Sequence, residues 1–128
     1  LCEMGHSDRL VIADGNFPVM SMGKNAQIIR MDGHGVPEIL DAILRVFPLD
    51  TYIEKPVNLM EVMPGDDVQT PIWDVYKKTV EKYDERGKNA IGEIERFKFY
   101  EETKTAYAVI ATSEKALYAN IMLQKGVV

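Results

Sequence analysis

The chain has 128 residues, of which 46% are hydrophobic and 27% charged, a size and balance that fit one folded domain and exclude a disordered or fibrous chain. Its 15 Lys and Arg against 20 Asp and Glu leave a net charge of −5, which disfavours nucleic acid and anionic membranes as main partners, because both reward a basic patch. A single cysteine, Cys2, excludes an internal disulfide or a Cys-based zinc site and fits a reducing, cytoplasmic setting.

No apolar stretch approaches the roughly 20 residues of a membrane-spanning helix. Leu1-Cys2-Glu3-Met4-Gly5 lacks the basic-then-apolar pattern of a signal peptide. The chain starts without Met, on what reads as a helix end, so a short preceding segment is expected. Arg9-Leu10-Val11-Ile12-Ala13 is a short apolar run that reads as a buried strand, stopped by the turn residues Asp14-Gly15-Asn16 and by Phe17-Pro18. Val19 to Lys24 reads as a loop, and Gln27 to Met31 as a second strand before the turn Asp32-Gly33-His34-Gly35. Val36, Ile39, Leu40, Ile43, Leu44 and Phe47 then repeat at helical spacing, with Pro37 in the first turn and Pro48 beyond the end, which predicts an amphipathic helix over 36–47.

Val57 to Met63 reads as a strand ended by Pro64-Gly65-Asp66-Asp67. Thr70-Pro71 opens a second amphipathic helix through Ile72, Trp73, Tyr76, Val80 and Tyr83, broken at Arg86-Gly87-Lys88-Asn89. Phe97 to Lys104 reads as a third helix with Phe97, Tyr100 and Glu101 on one side, and Ala106 to Ala111 and Ala119 to Leu123 as strands. Interleaved strands and helices without a linker or repeat predict an α/β fold, a single layered domain over 1–128 with a central β-sheet and helices packed on it.

The candidate chemistry begins at Gly5-His6-Ser7-Asp8. An imidazole in a polar turn both takes and gives protons near neutral pH, although a lone His is more often an inert surface residue. Asp14 ends the first strand, where ligands gather in open α/β sheets and a carboxylate is placed to hold hydroxyl groups. The two bracket one strand, so five residues at 3.3 Å each put them roughly 16 Å apart. A site built between neighbouring subunits, or a His6 turn folded back beside the strand, removes that difficulty. Tyr118 and Asn120 are two apart, so on a strand they share a face and offer donors and acceptors for sugar hydroxyls. A buried Tyr–Asn hydrogen bond is an equal alternative. His34 adds no recognisable metal-ligand spacing, and Gly33-His34-Gly35 is no phosphate loop. Ser113 lacks a nucleophile elbow, and Met60, Met63 and Met122 read as core filler.

Five segments occur together in order: Met4-Gly5-His6-Ser7-Asp8, Ala13-Asp14-Gly15-Asn16-Phe17-Pro18, Ile29-Arg30-Met31-Asp32-Gly33, Arg96-Phe97-Lys98-Phe99-Tyr100-Glu101 and Tyr118-Ala119-Asn120-Ile121-Met122-Leu123-Gln124-Lys125-Gly126-Val127. In these the chain resembles the L-fucose mutarotase family from end to end, within a superfamily shared with D-ribose pyranase. The resemblance implies a cytoplasmic isomerase, without metal or organic cofactor, that interconverts the α and β anomers of a free sugar. It also implies a subunit that forms rings, often decamers, with sites near subunit contacts, and an N-terminal helix largely absent from this sequence. By the same resemblance His6 is the proton-transfer residue, and Asp14, Arg96, Tyr118, Ala119 and Asn120 bind substrate, Ala119 through its backbone. Asn16-Phe17-Pro18 and the Arg96 run resemble the fucose branch, and a Phe beside the site suits the C6 methyl of a 6-deoxy sugar. D-ribose pyranase activity and a non-catalytic sugar-binding module are the rival expectations.

Overall fold

The computed structural model describes residues 1–128. The elements in order are β1 (Arg9–Ala13), α1 (Val19–Met22), β2 (Gln27–Met31), α2 (Val36–Leu44), β3 (Val57–Met60), α3 (Pro71–Tyr83), a 3₁₀ turn (Gly87–Ala90), β4 (Ile91–Ile94), α4 (Arg96–Thr103), β5 (Ala108–Thr112) and β6 (Ile121–Gln124). The six strands form one mixed sheet in the order β2-β5-β1-β6-β3-β4. β1 pairs in parallel with β5 and antiparallel with β6, and β3 pairs antiparallel with β6 and in parallel with β4. With β2 parallel to β5, five strands run one way and β6 alone runs back. The carboxyl ends of β1, β3, β4 and β5 therefore share an edge with the start of β6.

β1 is buried from Leu10 to Ala13, because helices cover both sides of the sheet. Leu10 and Ile12 join Leu59, Ile110, Ile121 and Leu123 under the apolar stripes of α2 and α3. The alternate residues Val11 and Ala13 join Val109, Met122, Phe17 and Phe99 on the other side. Period-two alternation thus supplies two cores from one strand, a layered α/β architecture.

Several local expectations change. α1 replaces an expected loop with one helical turn, and β4 and the 3₁₀ turn before it were not signalled at all. β3 stops at Met60 rather than Met63. α2 ends at Leu44, although Phe47 beyond it remains buried. Thr70 precedes α3 without a side-chain cap hydrogen bond, whereas Glu95 caps α4 by accepting from the backbone N–H groups of Phe97 and Lys98. The core face of α4 is Phe99 and Thr103; Phe97 and Glu101 are exposed.

Candidate functional site

The common edge of β1, β3, β4 and β6 holds a cavity of about 500 Å³. Asp14 leaves the end of β1 into it, Asn120 enters β6 from it, and Arg96 opens α4 just after β4. Tyr118 and Asp66, from the loops before β6 and after β3, complete the polar lining. Phe17, Met60, Val68, Tyr100 and Leu117 supply an apolar wall. A few convergent polar groups beside an aromatic surface are what a small polyol with one apolar edge requires.

Local hydrogen bonds decide which atoms remain available. The Asn120 side-chain oxygen accepts from the Asp14 backbone N–H at 2.7 Å, so its amide nitrogen, with two donors, is uncommitted. The Asp14 carboxylate accepts from the backbone N–H groups of Asn16 at 3.0 Å and Ala119 at 3.3 Å. Burial pushes the Asp14 carboxyl up; the backbone N–H groups of Asn16, Ala119 and Phe17 oppose the rise and the charge of Glu114 adds to it, leaving the net direction upward. Arg96 donates through Nε to the Tyr100 hydroxyl at 3.1 Å, and its guanidinium lies over the rings of Phe97 and Tyr100 at 5.7 and 5.6 Å. The hydrogen bond uses Nε alone and leaves the terminal N–H groups free.

Tyr118 sits in a turn, not on a strand, with φ of +53°, a left-handed conformation that costs a non-glycine residue about 1–3 kcal/mol. Helix α3 holds that turn in place. Trp73 donates from its indole to the Tyr118 carbonyl at 2.8 Å, and the buried Tyr76 hydroxyl donates to the Ala119 carbonyl at 2.7 Å. The Tyr118 hydroxyl donates to the Asp66 carboxylate and accepts from the Met63 backbone N–H; the bond to Asp66 leads in pushing the phenol upward. Tyr118 and Asn120 do share the cavity, but the turn brings them there.

Asp14, Arg96, Tyr118 and Asn120 thus meet in one cavity. Ala119 does not line it: the residue is fully buried, with its backbone N–H on Asp14 and its carbonyl on Tyr76. His6 lies at the opposite edge of the sheet, before β1, where Ser7 bonds to the Lys125 carbonyl after β6. There His6 Nε2 is 3.2 Å from Asp50 Oδ1, and its ring packs on Tyr52 at 5.2 Å. The His6 turn does not fold back to Asp14, and the carboxylate beside the imidazole is Asp50. His34 is exposed and pairs with Glu38, and the Ser113 hydroxyl accepts from the Gly33 N–H.

Sequence reasoning passed over Asp66 and treated Met60 as filler. The strand order could have found both, since β3 and the Pro64-Gly65-Asp66 turn after it face the same edge as Asp14. Asp50 carried no local signal; its contact with His6 spans 44 positions.

A profile of the RbsD / FucU transport protein family matches residues 1–128. Human fucose mutarotase is 46% identical over 131 residues, an alignment covering 99% of this chain and 84% of that protein. Among solved structures, FucU from Bifidobacterium longum superposes with a TM-score of 0.98 at 67% identity, covering 100% of this chain and 91% of that one. The fucose mutarotase of Streptococcus pneumoniae, solved in complex with L-fucose, superposes with a TM-score of 0.92 at 44% identity, covering 99% and 88%.

Proposed function

The chain belongs to the RbsD / FucU transport protein family, and from that premise we propose that it is an isomerase interconverting the α and β anomers of L-fucose. The observation that carries this reading is the cavity itself. Asn120 and Arg96 offer donors and Asp14 offers acceptors for hydroxyls, opposite a wall of Phe17, Met60, Tyr100 and Leu117 suited to the C6 methyl of a 6-deoxy sugar. Relatives named fucose mutarotase, aligned over nearly the whole chain, support the same sugar.

The chemistry needs one proton moved from the anomeric hydroxyl and one delivered to the ring oxygen. The bond between the anomeric carbon and the ring oxygen breaks as the aldehyde forms; rotation of the aldehyde and attack by the freed hydroxyl on its other face restore the ring. Nothing is oxidised and no group leaves. A single imidazole that takes the first proton and returns it to the ring oxygen balances the step, and a positioned acid–base group supplies about 10²–10⁴-fold in rate. His6 has that role. Asp14, Arg96, Tyr118 and Asn120 bind the remaining hydroxyls, with Ala119 supporting them through Asp14. Tyr118, already donating to Asp66, is a binding group first.

Because β1 separates His6 from the cavity of its own chain by roughly 16 Å or more, His6 serves the cavity of a neighbouring subunit in a homo-oligomeric, decameric ring in the cytoplasm. The test is saturation-transfer NMR on the two anomeric protons of L-fucose, with D-ribose as a second substrate. Catalysed exchange on fucose is expected, and His6→Gln is expected to abolish it while sugar binding survives. Full exchange in His6→Gln overturns the assignment. Faster exchange on ribose instead selects the pyranase reading, and binding without any exchange selects a sugar-binding module.

A further inference from the structure

The proton-transfer reading of His6 leaves open which ring nitrogen works, and the surroundings of the imidazole answer that. Asp50 is 1% exposed. Its Oδ1 accepts from the Tyr52 backbone N–H at 2.9 Å and faces His6 Nε2 at 3.2 Å, while Oδ2 accepts from the Gln124 side-chain amide at 3.0 Å. The backbone is pinned as well: the Asp50 N–H donates to the Gln124 carbonyl at 3.0 Å, and its own carbonyl accepts from the Arg86 guanidinium at 3.1 Å. On the other side the histidine turn is held by Ser7 N–H to the Lys125 carbonyl at 2.9 Å and by Gly5 N–H to the Asp8 carboxylate at 2.7 Å. Tyr52 closes over the ring. His6 Nδ1 has no protein partner.

Resting on the proposed role of His6, we infer that Asp50 is its positioning residue: the carboxylate keeps the proton on Nε2, so Nδ1 carries the lone pair that exchanges protons with the sugar. An ionised carboxylate only accepts, so the nitrogen facing it must be N–H. Burial works to raise the Asp50 carboxyl, but the donors from Tyr52, Gln124 and His6 outweigh it and the net direction is downward, consistent with an ionised partner near neutral pH. The division of labour is the one by which a buried carboxylate orients a catalytic imidazole elsewhere, where a carboxylate-to-amide change costs orders of magnitude through the wrong tautomer.

Asp50→Asn is the informative change. It keeps the shape, and its amide is able to accept from or donate to Nε2, so the tautomer is no longer dictated. Long-range ¹H–¹⁵N correlation of the His6 ring at neutral pH is expected to show the Nε2–H form in the unaltered protein and a mixture in Asp50→Asn. Anomer exchange at saturating L-fucose is expected to drop at least about tenfold, with KM within about twofold, and the change should have no further effect in a His6→Gln background. A purely structural Asp50 predicts lowered thermal stability with unaltered tautomer and turnover, and that result overturns the inference. So does an Nδ1–H ring in the unaltered protein, a measurement that stands even if Asp50→Asn fails to fold. Undiminished exchange in His6→Gln overturns the reading beneath, and the inference with it, and is distinguishable because it does not involve Asp50.

Discussion

Asn120 shows how one side chain divides its functions. Its oxygen satisfies the buried N–H of Asp14, and its amide nitrogen is left for the cavity. Asn120→Ala therefore removes a ligand donor and orphans a buried backbone group at once. The orphaned N–H costs about 1–3 kcal/mol of stability, read as a lower chemical-denaturation midpoint. L-fucose affinity, followed by titration calorimetry, should fall by about tenfold or more for the lost donors. Asn120→Asp keeps the acceptor for Asp14 but not the donors, and sets a second carboxylate beside a buried one, so it should lose affinity as well. Undiminished affinity in both variants excludes Asn120 from the ligand site. The residue types were legible in the sequence, but this division was not: Asp14 and Asn120 are 106 positions apart, and no local pattern states which amide atom the fold uses.

At the level of elements, legibility followed the strength of the periodic signal. β1 and β2 have the bounds expected, because each is a compact apolar run between turn residues. α2 and α3 were visible in their apolar stripes. β4 was not, because Ile91-Gly92-Glu93-Ile94 has no alternation and becomes a strand only by pairing with β3 at the sheet edge. The α2–α3 contact depends on another unsignalled feature, the Asp41 carboxylate. It accepts from Lys82 and Tyr83 of α3 at 3.0 and 2.9 Å and from Arg45 at 2.9 Å. The hydrogen bond from Lys82 leads in lowering Asp41 to about 2, with Tyr83 and Arg45 adding to it. A carboxyl lowered in the folded state stabilises the fold at pH above its ordinary value of 3.8 and loses that contribution as pH falls towards about 2. Asp41→Asn should therefore be less stable than the unaltered protein near about pH 6, and the difference should close by about pH 2. Urea midpoints across that range measure it, and a pH-independent difference rules out the carboxylate as the cause.

At the scale of the whole molecule the question is whether the proposed reaction requires a second copy of the chain. Its accessible surface of 7127 Å² is close to the roughly 6,900 Å² expected of a compact monomer of this mass, so small size alone does not demand assembly. The proposed role of His6 is what calls for it: the cavity lies at one edge of the sheet and the imidazole at the other. A head-to-tail contact, in which the His6 edge of one copy meets the cavity edge of the next, unites them and closes into a ring if its rotation allows. This arrangement makes a prediction that a site within one chain does not. In the proposed ring, with L-fucose well below its KM, His6→Gln refolded alone should be inactive and Asn120→Ala refolded alone should be slowed by about tenfold or more. When the two are unfolded together and refolded as mixed rings, some contacts join the intact His6 of an Asn120→Ala copy to the intact cavity of a His6→Gln copy. Random mixing in equal amounts gives one such site in roughly four, so exchange on L-fucose should recover to roughly a quarter of the unaltered rate. The same proteins mixed after refolding, without subunit exchange, supply the control without shared sites. No recovery in verified mixed rings means that His6 and the cavity act within one chain, which would require the His6 turn to leave Asp50 and cross the length of β1.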